Sequence, residues 1–300
     1  MRDDEFAGLG LEEIAKKIES MEIRGAAKIA RSAAHALKDE ASKDEGELDE
    51  RINEAVERLK RTRPTAVSLQ NALRFVTKDK KADFTADMIK ERAESFIGKS
   101  YSAGEKIAEY GGKRISDGDT ILTHCNSSMA LGAIKYAWDQ GKEINVIATE
   151  SRPKRQGYIT VRELAEYEIP VTLIVDSAVR YKMKDVDSVY VGADTIASNG
   201  AVINKIGTSQ VALCADESRV QFTVCAETYK FSRETAFGDL VKIEERSPDE
   251  IIDPAEFPGV KISNPVFDAT PVDYVDCIVT EEGVISPSES YRIIKEMING

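Results

Sequence analysis

Apolar residues recur at helical spacing through the first third of the chain. Leu11, Ile14, Ile18 and Met21 fall on one face, and Ala26, Ile29, Ala30, Ala33 and Leu37 repeat the pattern. Met88, Ile89, Phe96, Ile97, Ile107 and Tyr110 predict one long helix over residues 84–115, with Gly98 a candidate interruption. An acidic stretch at 39–50 reads as an exposed, solvated loop and the start of the next helix. After Asp117-Gly118 the rhythm changes. Short β-rich runs at 121–123, 145–149, 171–176, 188–192 and 222–225 alternate with amphipathic stretches such as 129–140 and 161–167. Such alternation predicts βαβ units and a parallel sheet. The expected fold class is therefore α/β: a helical N-terminal domain, 1–115, followed by a Rossmann-like, mostly parallel α/β domain, 116–300. Each expected strand ends in small or polar residues (HCN, TESRP, VDSA, GAD, AET), where open α/β sheets bind ligands.

Composition narrows the choice of ligand. The formal net charge of -12 argues against a nucleic-acid partner, because a phosphate backbone demands a basic face. No charge-free apolar run approaches the roughly 20 residues of a membrane span, and the acidic start MRDDEFAGLG does not resemble a signal peptide. The four cysteines are scattered without a CxxC pair, so neither a disulfide framework nor a metal site is indicated. These features point to a cytoplasmic protein with no membrane or nucleic-acid partner. They leave room for a small phosphorylated ligand.

Cys125 stands out chemically. Cys214 in VALCA and Cys225 in FTVCAE read as small core residues, whereas Cys125 is set among His124, Asn126, Ser127 and Ser128. A helix opening near Ser127 is expected to lower the thiol pKa through its N-terminal partial charge. Asp194 follows the strand run Val189, Tyr190, Val191, with Gly192-Ala193 leaving space for a close approach. A helix cap or turn former is the competing reading for this aspartate. Asn204-Lys205 and Gly207-Thr208 precede another helical run and suit an anion at its N-terminus, although the Walker pattern is absent. Arg24, with Gly25 and Ala26, stands at a helix entrance. Arg63 precedes Pro64, which fits a first helical turn. Arg152 and Lys230 follow strand ends. Cations gathered at element ends in an acidic chain fit a doubly anionic small ligand.

The segments IRGAA, TRPTAV, LTHCN, TESRPKRQG, VDSA, GADTIASNGAVINKIGT and AETYKF, in that order, resemble the initiation-factor-2B-like isomerase superfamily. The resemblance runs from about Glu22 to Pro287. It implies one of three things: a methylthioribose-1-phosphate isomerase, a ribose-1,5-bisphosphate isomerase, or a non-catalytic regulatory subunit that binds a sugar or nucleotide phosphate. By motif, the catalytic cysteine and aspartate of the enzymes fall on Cys125 and Asp194, which favours an enzyme. AETYKF, ESRPKRQG and the short length are most similar to the archaeal bisphosphate branch. The resemblance thus implies conversion of ribose 1,5-bisphosphate to ribulose 1,5-bisphosphate in nucleotide (AMP) salvage. No cofactor and no metal are expected. Arg24, Gly25, Ala26, Arg63, Arg152, Asn204, Lys205 and Lys230 are expected to bind substrate, and the chain to form a homo-oligomer built from dimers, up to a hexamer.

Overall fold

The computed structural model describes residues 6–44, 47–78, 85–235 and 243–299. It divides into two compact units, Met1–Ser102 and Ala103–Gly300, and the division falls inside one long helix.

The first unit is helical. It holds α1 (Leu11–Glu19), α2 (Ala26–Ala41), α3 (Leu48–Thr62), α4 (Val67–Val76) and the start of α5 (Ala86–Arg114). Its core is built from the apolar stripes: Ile14, Ile18, Leu37, Ile52, Leu59, Leu69, Leu73 and Ile89 are fully buried. Helix α5 runs through Gly98 without a break, since neighbouring turns carry the helix past one glycine. The acidic stretch holds the expected loop and helix start, and also the last residues of α2. Helix α2 reaches Ala41 and α3 opens at Leu48, with Asp49 and Glu50 in a first turn whose partial positive charge suits them. Glu45 and Gly46 lie outside the described residues. Pro64 does not open a helix; it sits in the turn ahead of α4, which begins at Val67.

The second unit is built on a seven-stranded sheet. Its strands are β1 (Thr120–Thr123), β2 (Asn145–Thr149), β3 (Val171–Ile174), β4 (Ser188–Gly192), β7 (Gln221–Cys225), β9 (Cys277–Thr280) and β10 (Gly283–Ile285). They lie in the order β10-β9-β7-β4-β1-β2-β3, all parallel except β10. A second sheet, in the order β5-β6-β8, joins β5 (Thr195–Ile196), β6 (Val202–Lys205) and β8 (Phe267–Thr270) with antiparallel pairing.

Alternation along the strands sorts the core into two faces. Leu122, Ile147, Val189, Val191, Phe222, Val224 and Ile278 pack with α8 (Val179–Lys182), α9 (Thr208–Ser218) and α10 (Ser290–Asn299). Their neighbours Ile121, Val146, Tyr190, Cys225 and Val279 pack with the end of α5, α6 (Ser128–Asp139) and α7 (Gly157–Glu166). Helices therefore cover both faces of a mostly parallel sheet, the Rossmann-like arrangement. The chain lays down β1, β2 and β3 in one direction, then returns to place β4 on the other side of β1. Between β1 and β4 the loops diverge, and that crevice is where such sheets hold ligands.

Candidate active site

Both halves of the expected catalytic pair emerge at this crevice. Cys125 follows β1 and is partly exposed, with its backbone at φ 68 in the left-handed region. Its N–H donates to Ser151 Oγ at 2.7 Å, and its carbonyl accepts from Thr160 Oγ1 at 2.8 Å. Ser127 caps α6 by accepting the Ala130 N–H, so the helix starts beyond the thiol. The expected drop in thiol pKa does not occur. Crowding that strips water from the sulfur pushes it up to about 11, although Lys205 and the Asn126 N–H work the other way; Asp194 and Asp176 add to the rise. Cys125 is a neutral thiol in the resting site.

Asp194 follows β4, and its N–H donates to the Ile203 carbonyl at 2.9 Å across the β5–β6 hairpin. Gly192 makes the close approach possible: a Cβ there would stand 2.3 Å from Ser127 Oγ. Asn199 and Gly200 form the turn, with Gly200 at φ 90. Lys205, at the end of β6, is 7% exposed, with its ammonium 5.2 Å from the centre of the Phe267 ring. It is close enough to Cys125 to pull the thiol pKa downward. Lys205 and Asp194 thus act on the Cys125 thiol in opposite directions.

The start of α9 is not an open anion cradle. Asp268, on β8, places its carboxylate there and accepts from the Gly207 N–H at 2.7 Å and the Ser209 N–H at 3.2 Å. Burial raises this carboxyl to about 6 despite those N–H groups. Asn204 is turned inward, donating to Thr208 Oγ1 at 3.0 Å, and it braces the NKIGT turn.

Two more expected cations are already engaged. Arg152 donates its backbone N–H to Asp176 and its guanidinium to the Ile251 carbonyl at 3.1 Å. Lys230 is buried and paired at 2.8 Å with Glu227, which is buried too. Burial pushes the Glu227 carboxyl up, but the Lys230 charge and a Tyr229 hydroxyl bond outweigh it and hold the carboxyl below its ordinary range. Lys154, from the same loop as Arg152, pairs with Glu250 at 3.2 Å.

Arg24, Gly25, Ala26 and Arg63 belong to the first unit. Gly25, at φ 83, precedes α2, and Arg24 beside it is exposed. Arg63 ends α3 and directs its guanidinium to Met21 Sδ at 3.6 Å. Ser68 Oγ donates to the Ala26 carbonyl at 3.1 Å, tying the entrance of α4 to that of α2. These four residues therefore cluster around one set of helix ends.

Sequence reasoning assigned no role to four supporting groups, His124, Thr149, Ser151 and Asp176. His124 is buried, with Nδ1 at 2.6 Å from Thr149 Oγ1 and Nε2 at 2.9 Å from the Ile206 carbonyl. Ser151 and Asp176 brace the loop after β2: the Ser151 N–H donates to Asp176 at 2.8 Å. His124 was visible as one of only two histidines; Thr149, Ser151 and Asp176 look like ordinary residues at or just beyond strand ends. Among the described residues, no three His, Cys, Asp or Glu side chains come together as a metal site requires.

The chain resembles known proteins over nearly its whole length. The ribose 1,5-bisphosphate isomerase of Archaeoglobus fulgidus is 54% identical over 291 residues, covering 95% of this chain and 93% of that protein. The methylthioribose-1-phosphate isomerase of Acetivibrio thermocellus is more distant, at 37% over 311 residues, with coverage of 94% and 90%. Among solved structures, translation initiation factor eIF-2B of Pyrococcus horikoshii superposes with a TM-score of 0.84 at 34% identity, covering 94% of this chain and 98% of that one. The model of the initiation factor 2 subunit family matches residues 22–287. By sequence and by fold alike, the chain belongs to the initiation factor 2 subunit family.

Proposed function

We propose that the protein is an aldose–ketose isomerase that converts α-D-ribose 1,5-bisphosphate to D-ribulose 1,5-bisphosphate. The observation that carries this reading is the 54% identity, over 95% of the chain, to an isomerase named for that substrate. An enzyme named for the methylthio sugar stands at 37%.

The substrate's anomeric oxygen carries a phosphate, so the ring cannot open as a free sugar's does. In the proposed mechanism Asp194, protonated at the outset, gives its proton to the ring oxygen as the C1–O bond breaks. Cys125, as thiolate, removes the proton from C2, which leaves an enol phosphate between C1 and C2. The thiol returns that proton to C1 while the C2 hydroxyl gives its own to the Asp194 carboxylate. Both groups are restored, and the ketone stands at C2. A thiol held near pKa 11 is rarely ionised at neutral pH, but its thiolate is a strong base. Lys205 in the α/β unit is proposed to hold a substrate phosphate; Arg24, Gly25, Ala26 and Arg63 are proposed as an anion-binding group within the helical unit. Asn204 supports the turn that carries Lys205. Arg152 and Lys230 take part only if their contacts with Ile251 and Glu227 give way.

Purified protein should turn over ribose 1,5-bisphosphate, with methylthioribose 1-phosphate at least about a hundredfold worse in kcat/KM. Cys125→Ser and Asp194→Asn should each lower kcat by about two orders of magnitude or more and still bind substrate. Near-wild-type turnover in either variant would remove that residue from the mechanism. Deuterium placed at C2 should wash partly into solvent; full retention at C1 would replace proton transfer by a hydride shift.

We also infer a cytoplasmic homo-oligomer. Leu173, Val175, Tyr181 and Leu213 are large apolar side chains exposed on and near edge strand β3 and helices α8 and α9, and apolar side chains exposed together mark association surfaces. No described helix is long and apolar enough to cross a membrane. A monomer by light scattering at micromolar concentration would refute the assembly.

A further inference from the structure

The buried polar groups behind Cys125 form an ordered sequence. The Ile206 carbonyl can only accept, so His124 Nε2 carries the ring proton across the 2.9 Å contact. Burial drives the His124 pKa down and keeps the ring neutral, so Nδ1 accepts. Thr149 Oγ1, 2.6 Å away, must then donate to Nδ1. It therefore accepts from Ser151 Oγ at 3.1 Å, and Ser151 Oγ accepts the Cys125 N–H at 2.7 Å. Every donor points the same way, from the Cys125 backbone to the Ile206 backbone.

The ends of this chain matter. One is the residue held at φ 68, a backbone conformation that a non-glycine residue keeps only under restraint. The other is the residue next to Lys205, whose charge acts on the thiol. His124, Thr149 and Ser151 are at most 1% exposed, so water cannot substitute for a missing link. Gly207 leaves room for the ring: a Cβ there would stand 3.0 Å from His124 Cε1. Ser151 is itself anchored, because Asp176 accepts the N–H groups of Ser151 and Arg152 at 2.8 Å each.

We propose that His124, Thr149 and Ser151 are positioning residues whose directed hydrogen-bond chain fixes the Cys125 backbone and its placement against Lys205. This rests on Cys125 being the proton-transfer group proposed above. None of the three touches the reacting atoms; they act through the geometry of the thiol.

Thr149→Val keeps the shape of the side chain and removes the central hydroxyl, and Thr149→Ser keeps the hydroxyl. In Thr149→Val, kcat on ribose 1,5-bisphosphate should fall roughly tenfold or more, as misplacement of a reacting group does, with KM within about threefold of wild type. Thr149→Ser should restore kcat to within about threefold of wild type. A second readout needs no substrate: the pH profile of Cys125 alkylation by iodoacetamide, followed by peptide mass spectrometry. It should be displaced in Thr149→Val and return in Thr149→Ser. If Thr149→Val does not fold, Ser151→Ala breaks the chain one link nearer the thiol and is read in the same way. Wild-type kcat with an unchanged alkylation profile overturns the proposal, as does a Thr149→Ser variant as impaired as the valine. A displaced and restored profile in a protein that turns over neither sugar phosphate upholds the chain and overturns the isomerase reading instead.

Discussion

Replacing Asp268 by Asn should change how stability depends on pH, by an amount the structure sets. The carboxyl is raised from 3.8 to about 6, chiefly by burial. A group whose folded pKa lies above its unfolded value favours the fold when protonated. Its contribution is complete below about pH 4 and is lost as pH climbs through about 6. The shift of about two units corresponds to ~3 kcal/mol over the whole range, of which roughly 1 kcal/mol falls between pH 5 and pH 7. Asparagine does not titrate, yet its carbonyl oxygen can still accept the Gly207 N–H. Urea unfolding of both proteins at half-unit steps from pH 4.5 to 7.5 isolates this term, because all other titrations cancel in the difference. Relative to the variant, the wild type should gain about 1 kcal/mol on going from pH 7 to pH 5. A difference that stays constant with pH, or that grows in the opposite direction, would refute the assignment of Asp268 as a buried carboxylate capping α9.

The Cys125 thiol should react slowly. A pKa of about 11 against an ordinary 9.0 leaves about a hundredfold less thiolate at pH 8, partly offset by the higher nucleophilicity of the more basic anion, for a net deficit of about tenfold. Alkylation faster than that of an unstructured cysteine peptide at pH 8 would show the sulfur to be solvated. Gly157→Ala should cost about 3 kcal/mol or more in urea unfolding, since the added Cβ would stand 1.7 Å from the Thr149 carbonyl oxygen and the backbone cannot yield that far. Stability within 1 kcal/mol of wild type would mean that α7 enters differently.

The elements that the sequence revealed are those whose burial follows a simple period. Strands β1, β2, β4 and β7 carry near-continuous apolar runs because helices cover both of their faces, and α2 and α5 carry long stripes. The sheet β5-β6-β8 was not legible. Strand β5 has two residues, and β6 pairs with β8, which lies sixty-odd positions further along the chain; nothing local records that pairing. The same distance explains the misread helix start. Asn204-Lys205 and Gly207-Thr208 look like an anion site because the anion that occupies it, Asp268, is far away in sequence. Cys125 was marked by its polar neighbours, and it follows a strand, β1, as expected. The sign of its pKa shift was not as expected, because crowding around the sulfur depends on the loops after β2 and β6 as well as on the nearby helix.

The left-handed backbone at Cys125 also bears on how such a chain drifts over generations. A cysteine at φ 68 is disfavoured by ~1–2 kcal/mol, a cost glycine does not carry at that angle. Cys125 lies in neither of the two hydrophobic clusters that cover the sheet. Selection for stability alone therefore pulls this position away from the thiol, and only selection for what the thiol does opposes it. A lineage released from the need for the reaction should lose the thiol early while the sheet beneath it stays intact. A shared fold with divergent chemistry is the expected outcome of that asymmetry.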